Sequence, residues 1–384
     1  MSRSDSQADA PVRRVCIFAQ LARTGLGDLI MRNTLFGLVR RAYPEAHVTL
    51  VLGANDAADF EDFLRHHALV DDVLAVPPCD APTPSEAPQL WQPVVDELRA
   101  RQFDACVVDA GTLALQAGVA DAAGIPVRVG ILRGHPEEAQ LTAAAPIVAR
   151  DGGMPDLADF LDAYATALGI EPLAPQDRVP PLPFQPEGPD LQLPHPRIAI
   201  HVGGGTYWNR RWPLERYVTL LDRLLATTSG SIVLVGNQEE REHTFLRERI
   251  NQRGHDRLME IGDVSLARTA TILSQCDVFA GSDSGPMHLA VALPMPTVTL
   301  YGPADGELFW DHVYLDHHPI GRHWPCQRIP HDWPTETHAP CAHHCRYSVE
   351  LDAPEYPRCV ADITVDEVFD EILKVLDRLP ATAR

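Results

Sequence analysis

Four short stretches of this sequence carry residues whose types and spacing suit chemistry on a phosphorylated ligand. The first, G-S-D-S-G-P-M-H-L-A from Gly281, sets Asp283, Ser284, Gly285 and His288 between a strand-like apolar run (276–280) and an apolar helical one. A strand that breaks into small polar residues and restarts as a helix leaves backbone N–H groups at the helix start, where phosphate binds, with Ser284 or Asp283 as N-cap. The second, H-V-G-G-G-T-Y-W-N-R-R-W-P, offers Gly203, Gly204 and Gly205 for close backbone approach and Arg210 and Arg211 as donors suited to a diphosphate. Pro213 then opens a helix whose positive end adds to the field. The third, V-G-N-Q-E-E-R-E-H, places a carboxylate, Glu239 or Glu240, one loop away, where it can accept hydrogen bonds from ribose hydroxyls. The fourth, R-T-G-L-G-D-L-I-M, sets Asp28 at the mouth of the first strand-to-helix turn, as a general base for an attacking hydroxyl needs. Each stretch also has a plainer reading: a glycine turn with solvated arginines, a glutamate favoured by a helix dipole, a capping aspartate, a satisfied core histidine.

The elements that must position these residues alternate between strand and helix. Residues 14–19 read as a buried strand, 20–28 as a glycine-bearing loop, 29–43 as a helix and 47–52 as a second strand. That is a βαβ unit, whose crossover implies a parallel sheet. Further strands are expected at 72–76, 105–109 and 127–131. Nine prolines between Glu171 and Pro196 then exclude a helix or a central strand and predict an extended linker. A second series follows, with strands at 197–202, 231–235, near 258, at 277–280 and at 297–301, and helices at 239–252 and 266–274. In the expected helix 213–227, Tyr217, Leu220, Leu221, Leu224 and Leu225 fall on one face. The expectation is an α/β protein of two Rossmann-like, doubly wound domains facing across a cleft, with ligand loops at the carboxyl ends of the strands. The expected division is a flexible start (1–13), an acceptor-side domain (14–180), a proline-rich linker (181–196), a nucleotide-sugar domain (197–320), a Cys/His-rich segment (321–362) and a C-terminal helix (363–384).

A chain of 384 residues exceeds one ordinary core. Its formal net charge of −21 argues against nucleic acid and anionic membranes as partners and favours a neutral or cationic acceptor. The polar start M-S-R-S-D-S-Q-A-D-A-P-V-R-R lacks the apolar core of a signal peptide, and no segment reaches the roughly 18 apolar residues of a membrane span. A cytoplasmic location is expected, where cysteines stay reduced. Cys16, Cys106 and Cys276 then read as core residues in apolar runs. A second cysteine group near the end, Cys326, Cys341, Cys345 and Cys359, lies among His323, His331, His338, His343 and His344. Four thiols there suit either a closed tetrahedral site for structural zinc or iron, shaping the acceptor side or an oligomer contact, or simply reduced thiols.

The stretches T-G-L-G-D-L-I-M-R-N-T-L, Y-P-E-A-H-V-T-L-V, H-V-G-G-G with N-R-R-W-P-L-E-R-Y, L-V-G-N-Q-E-E-R-E and S-D-S-G-P-M-H-L-A-V-A-L-P-M-P-T-V-T-L-Y-G-P-A-D together resemble glycosyltransferase family 9, which includes the lipopolysaccharide heptosyltransferases. The resemblance implies a GT-B fold and an inverting transfer of heptose from ADP-heptose to an acceptor hydroxyl on a lipopolysaccharide core, a protein Ser/Thr or a small molecule. It implies Asp28 as the base and Asp283, Ser284, Gly285 and His288 as donor-binding residues. Arg210 stands where the family usually has a phosphate-holding lysine; it keeps the charge with a different geometry. The chemistry implied needs no cofactor. The cysteine-rich tail resembles that of the autotransporter-modifying heptosyltransferases, which carry a cysteine-bound iron. A homo-oligomer is compatible with all of this. Two other classes fit parts of the pattern: a GT-B nucleotide-sugar epimerase, which would want further acid–base carboxylates around the sugar, and a non-catalytic nucleotide-binding or assembly module, which would have no need of Asp28.

Overall fold

The computed structural model describes residues 11–19, 25–54, 57, 60–65, 67–77, 86–109, 113–134, 136–150, 155–179, 182, 187–203, 208–236, 241–251, 256–262, 264–293, 295–303, 313–322, 324, 345 and 356–379. By its internal contacts the chain divides into two units. One comprises Met1–Thr24, Arg32–Pro155 and Asp159–Leu173; the other comprises Gly25–Met31, Asp156–Ala158 and Ala174–Arg384.

The first unit is built on strands β1 (Arg14–Phe18), β2 (His47–Gly53), β3 (Asp72–Val76), β4 (Ala105–Val108), β5 (Val127–Leu132) and β6 (Ala143–Pro146). All pair in parallel, in the order β3-β2-β1-β4-β5-β6. Four residues each of β1 and β4 are buried, as central strands covered on both faces must be. The crossovers run through helices α1 (Leu26–Ala42), α2 (Glu61–Arg65), α3 (Pro88–Arg101), α4 (Leu113–Ala122) and α5 (Leu157–Ala167). Cys16 and Cys106 sit side by side in this core, as the sequence predicts; burial pushes the Cys16 thiol well up, so it stays neutral and inert.

The second unit repeats the design with β7 (Arg197–His201), β8 (Ser231–Val235), β9 (Leu258–Ile261), β10 (Val278–Ser282), β11 (Thr297–Leu300) and β12 (His317–Ile320), in the order β12-β11-β10-β7-β8-β9 and again parallel. Its helices are α6 (Leu214–Thr227), α7 (Arg241–Asn251), α8 (Leu266–Leu273), α9 (Gly285–Ala292), α10 (Arg358–Ala361) and α11 (Val365–Arg378). The apolar face expected of α6 is buried, and α11 shares its core through Val368, Phe369, Ile372, Val375 and Leu376. Trp212 ties the two ends of this unit together by donating from Nε1 to the Ile363 carbonyl at 2.9 Å. A capping box between Thr364 and Glu367 starts α11. Within the proline-rich stretch Pro175–Asp177 form a 3₁₀ turn where extended chain was expected, and the described part from Glu187 is held to this unit where the Glu187 amide donates to Thr271 Oγ1 at 2.7 Å and the Leu191 amide donates to Gln275 Oε1 at 2.7 Å.

In both sheets the order reverses direction between two adjacent strands, β1 and β4 in one and β7 and β10 in the other. The carboxyl ends of such strand pairs are where open α/β sheets bind ligands. Two edge strands, β6 and β12, are present beyond those expected, and α1 begins at Leu26 rather than at residue 29. No helix among the described residues is long and apolar enough to cross a membrane.

Candidate active site

In the second sheet the carboxyl ends of β7 and β10 lie side by side, with Gly281 in register with His201. The backbones approach so closely that a Cβ at Gly281 would stand 2.5 Å from the His201 carbonyl oxygen. His201 is fixed by a 2.7 Å hydrogen bond between Nδ1 and the Val235 carbonyl, and the buried Tyr217 hydroxyl reaches both the His201 carbonyl and Ser282 Oγ at 3.3 Å. Burial pushes the Tyr217 phenol up, so it remains a neutral donor. These contacts tie the carboxyl ends of β7, β8 and β10 together beneath the site.

On this floor the structure gathers Arg210, Asp283, Ser284, Gly285 and His288. Asp283 and His288 are each 4 % exposed, too buried for plain surface caps. Arg210, at the end of the loop after β7, places Nη1 3.3 Å from Asp283 Oδ2 and donates to the Asp283 carbonyl at 3.1 Å. His288 Nε2 lies 3.6 Å from Asp283 Oδ1. Ser284 occupies the N-cap position of α9, but its hydroxyl turns back to donate to the Ser282 carbonyl at 3.0 Å instead of capping the helix. Pro286 has no N–H, and the Met287 and His288 amides both donate to the Ser284 carbonyl, at 3.0 and 3.3 Å. The Gly285 amide is thus the first donor at the positive end of the helix, beside the Arg210 guanidinium: two features that favour an anion.

Asp28 belongs to the same unit. It is the third residue of α1, and its Oδ2 accepts the Gly25 amide at 2.8 Å, which satisfies one of the helix's first donors and explains why α1 begins before residue 29. Gly27 therefore lies inside the first helical turn rather than in a loop. A Cβ there would stand 2.3 Å from His288 Cδ2, so the glycine makes room for the imidazole. Tyr314 joins the cluster; burial and then the charges of Asp283 and Asp28 push its phenol well above its ordinary range. The site thus combines a half-exposed carboxylate, a cation, a helix mouth and a buried imidazole.

Arg211 has a different place. Its Nε lies 3.1 Å from Oε1 of Glu242, a glutamate 5 % exposed in the first turn of α7, so its guanidinium ties the loop to the helix. Sequence reasoning took Glu239 or Glu240, nearer the end of β8, and so passed over Glu242. Gly203 directly follows the loop's first residue after β7, whereas Gly204, Gly205, Glu239 and Glu240 lie outside the described residues. A second cluster that sequence reasoning missed occupies the carboxyl ends of β1 and β4 in the first unit. There Arg32 Nε donates to Asp109 Oδ2 at 2.6 Å, both side chains 8 % exposed, and Gln116 links the Asp109 amide to the Ala19 carbonyl at 3.0 Å each.

Of the cysteine group, Cys345 and Cys359 are described, and Cys326 and Cys341 fall outside. Cys345 Sγ accepts the Arg358 amide at 3.4 Å, one residue before the buried Cys359. Among the described residues no three potential ligands form a metal cluster.

Comparison with known proteins adds four findings. The profile of glycosyltransferase family 9 (heptosyltransferase) matches residues 91–322, more than half of the chain. The lipopolysaccharide heptosyltransferase 2 of Salmonella typhimurium is 30 % identical over 117 residues, which is 30 % of this chain and 33 % of that protein; the alignment thus spans about a third of the relative's length. Among solved structures, E. coli ADP-heptose lipopolysaccharide heptosyltransferase II superposes with a TM-score of 0.62 at 19 % identity, over 95 % of this chain and 99 % of that one. The dodecameric iron-containing heptosyltransferase TibC, solved with ADP-D-β-D-heptose, gives 0.50 at 13 % identity, over 97 % and 78 %.

Proposed function

The chain belongs to glycosyltransferase family 9 (heptosyltransferase), with the two-sheet α/β architecture of a GT-B protein, and from that premise we propose that it transfers heptose from ADP-heptose to an acceptor hydroxyl with inversion at the anomeric carbon. The observation that carries this reading is the single cluster in which Asp28, Arg210, Asp283, His288 and the mouth of α9 meet. Asp28 takes the proton of the acceptor hydroxyl as that oxygen attacks the anomeric carbon; the bond to the diphosphate breaks, and the negative charge it gains is met by Arg210 and by the first amide of α9. Asp283 keeps Arg210 in place, since a carboxylate held against a guanidinium fixes the direction of its donors. No step above needs a cofactor.

The test is a calorimetric panel of ADP, UDP, GDP and their sugar conjugates, ADP-heptose included, on the wild-type chain. Selective binding of ADP and ADP-heptose is expected. Absence of binding by every nucleotide would remove the donor site and with it the transferase reading.

We also propose that Cys326, Cys341, Cys345 and Cys359 hold a structural zinc or iron. Support comes from the Arg358 amide donating to Cys345 Sγ beside Cys359, the kind of outer hydrogen bond that steadies a thiolate ligand. Bound there, the ion would cross-link the chain between residues 326 and 359 without entering the transfer. Metal analysis of the purified protein should give about one equivalent of zinc plus iron for a four-cysteine site, lost in Cys345→Ser. Less than a few tenths of an equivalent in a folded protein rejects the site.

A further inference from the structure

Tyr314, a buried phenol to which the transfer chemistry assigns no part, stands behind the imidazole of His288. Its hydroxyl lies 2.5 Å from His288 Nδ1, and the two rings meet edge to face with centroids 5.7 Å apart. At the other end of the imidazole, Nε2 is 3.6 Å from Asp283 Oδ1, and the bare backbone of Gly27 lies against Cδ2. A carboxylate can only accept, so the proton of a neutral imidazole belongs on Nε2, and the Nδ1 lone pair then takes the phenol proton. In a histidine with both nitrogens engaged, the partner of one nitrogen decides the state of the other. The phenol is well suited to that part, because burial and the charges of Asp283 and Asp28 keep it protonated. Its own ring is held by His317, edge to face at 5.5 Å, whose nitrogens lie 2.6 Å from Thr297 Oγ1 and 2.9 Å from the Tyr301 hydroxyl. Burial, then the neighbouring His288, lowers His317 to about 3, so that it brings no charge to the back of the site.

We propose that Tyr314 is a positioning residue: its hydroxyl donates to Nδ1 of His288 and fixes the imidazole as the Nε2–H form, with that hydrogen directed to the Asp283 side of the α9 mouth, where it donates to the diphosphate of the nucleotide. The last clause rests on the transferase reading; the state of the imidazole does not. A hydrogen bond aimed at the departing diphosphate strengthens as charge develops there, so the orientation of His288 bears on both nucleotide affinity and transfer.

Two measurements test this on the full chain. Nitrogen NMR of protein isotopically labelled at histidine, without nucleotide and near neutral pH, reads the protonation of each ring nitrogen, with His288 assigned by the signals lost in His288→Gln. A protonated Nε2 and an unprotonated Nδ1 whose resonance moves in Tyr314→Phe are expected. The phenylalanine keeps the ring contacts with His288 and His317, so the fold should survive. A protonated Nδ1, or His288 signals unchanged in Tyr314→Phe, overturns the proposal whether or not the protein binds a nucleotide. The second measurement is ADP affinity across wild type, Tyr314→Phe, His288→Gln and the double variant. Tyr314→Phe should weaken ADP about 5- to 20-fold, and should weaken it no further once His288 is glutamine. Equal losses in both backgrounds mean that Tyr314 acts apart from His288 and overturn its positioning part. An Nε2–H imidazole in a protein that binds no ADP upholds the positioning by Tyr314 and defeats the transferase reading instead.

Discussion

Asp28 accepts a hydrogen bond from the Gly25 amide that an asparagine could accept equally well, and this makes its substitution informative. If the carboxylate only started α1, Asp28→Asn would cost well under about 1 kcal/mol and leave catalysis intact. If it is the base, release of nucleoside diphosphate during transfer should fall roughly 10²–10⁴-fold while ADP affinity stays within about twofold, since Asn keeps the shape and loses the proton acceptor. Steady-state kinetics beside calorimetry separate the two; equal losses of rate and affinity would return Asp28 to a structural part. Asp28, Asp283 and His288 drew attention in the sequence as small polar residues beside apolar runs, a pattern that plain caps and core histidines also produce, so it was the family resemblance that singled them out. Tyr314 did not, since 26 residues separate it from His288, and neither did the buried Arg32–Asp109 pair, whose members are 77 positions apart. Contacts of that range are made by the order of strands, and no local pattern records them.

At the scale of elements, the first turn of α1 sets two tendencies against each other at Gly27. Helix propensity favours alanine over glycine by about 1 kcal/mol in a helix interior. Against that, a Cβ at Gly27 would come 2.3 Å from His288 Cδ2, a ring already held by Tyr314 and Asp283. Displacing that ring should cost more than the propensity gains, and the loss should appear in the site: Gly27→Ala is expected to weaken ADP about tenfold, the equivalent of about 1.4 kcal/mol. Gly37 in the same helix is the control, because a Cβ there meets nothing within 4 Å. Gly37→Ala should raise stability by about 0.5–1 kcal/mol and leave ADP affinity unchanged, as denaturant titration and calorimetry will show. If both alanines behave alike, the packing of His288 on Gly27 plays no part in binding. Elements with strong periodicity, such as α6, were readable to within a residue, and so was β3. The two edge strands were not: A-A-A-P in β6 and H-H-P-I in β12 lack β-branched runs and carry a proline, which an edge tolerates and a central strand does not.

For the whole molecule, the alternation of strand and helix gave the two parallel sheets, while the response to acid depends on buried groups that composition cannot show. The net charge of −21 suggests that mild acidification, by titrating surface histidines, would relieve repulsion and stabilise the protein. The core opposes this. His67 Nδ1 accepts the Leu69 amide at 3.2 Å and Nε2 lies 2.8 Å from Asn33 Oδ1, so both nitrogens are engaged in the neutral form, and burial lowers the residue to about 4. His317 in the other unit is lowered to about 3. For a base depressed on folding, the unfolded chain binds the proton first, from its ordinary value of about 6.5 downward, so stability falls as pH drops through that value and goes on falling to the folded value. The depressed carboxylates Asp71, Glu367 and Glu371 matter only below their ordinary range of about 4, so between about pH 6.5 and 4 the two histidines act by themselves among these groups. Each contributes on the order of 3 kcal/mol across its window, more than dispersed surface charges supply at physiological salt. Denaturation midpoints should therefore fall between about pH 7 and 4.5, and fall less in His67→Gln, whose amide can still donate to Asn33 but cannot titrate. Parallel pH profiles for the two proteins would show that His67 does not set the acid response, and a wild-type midpoint that rises on acidification would show that relief of charge repulsion wins.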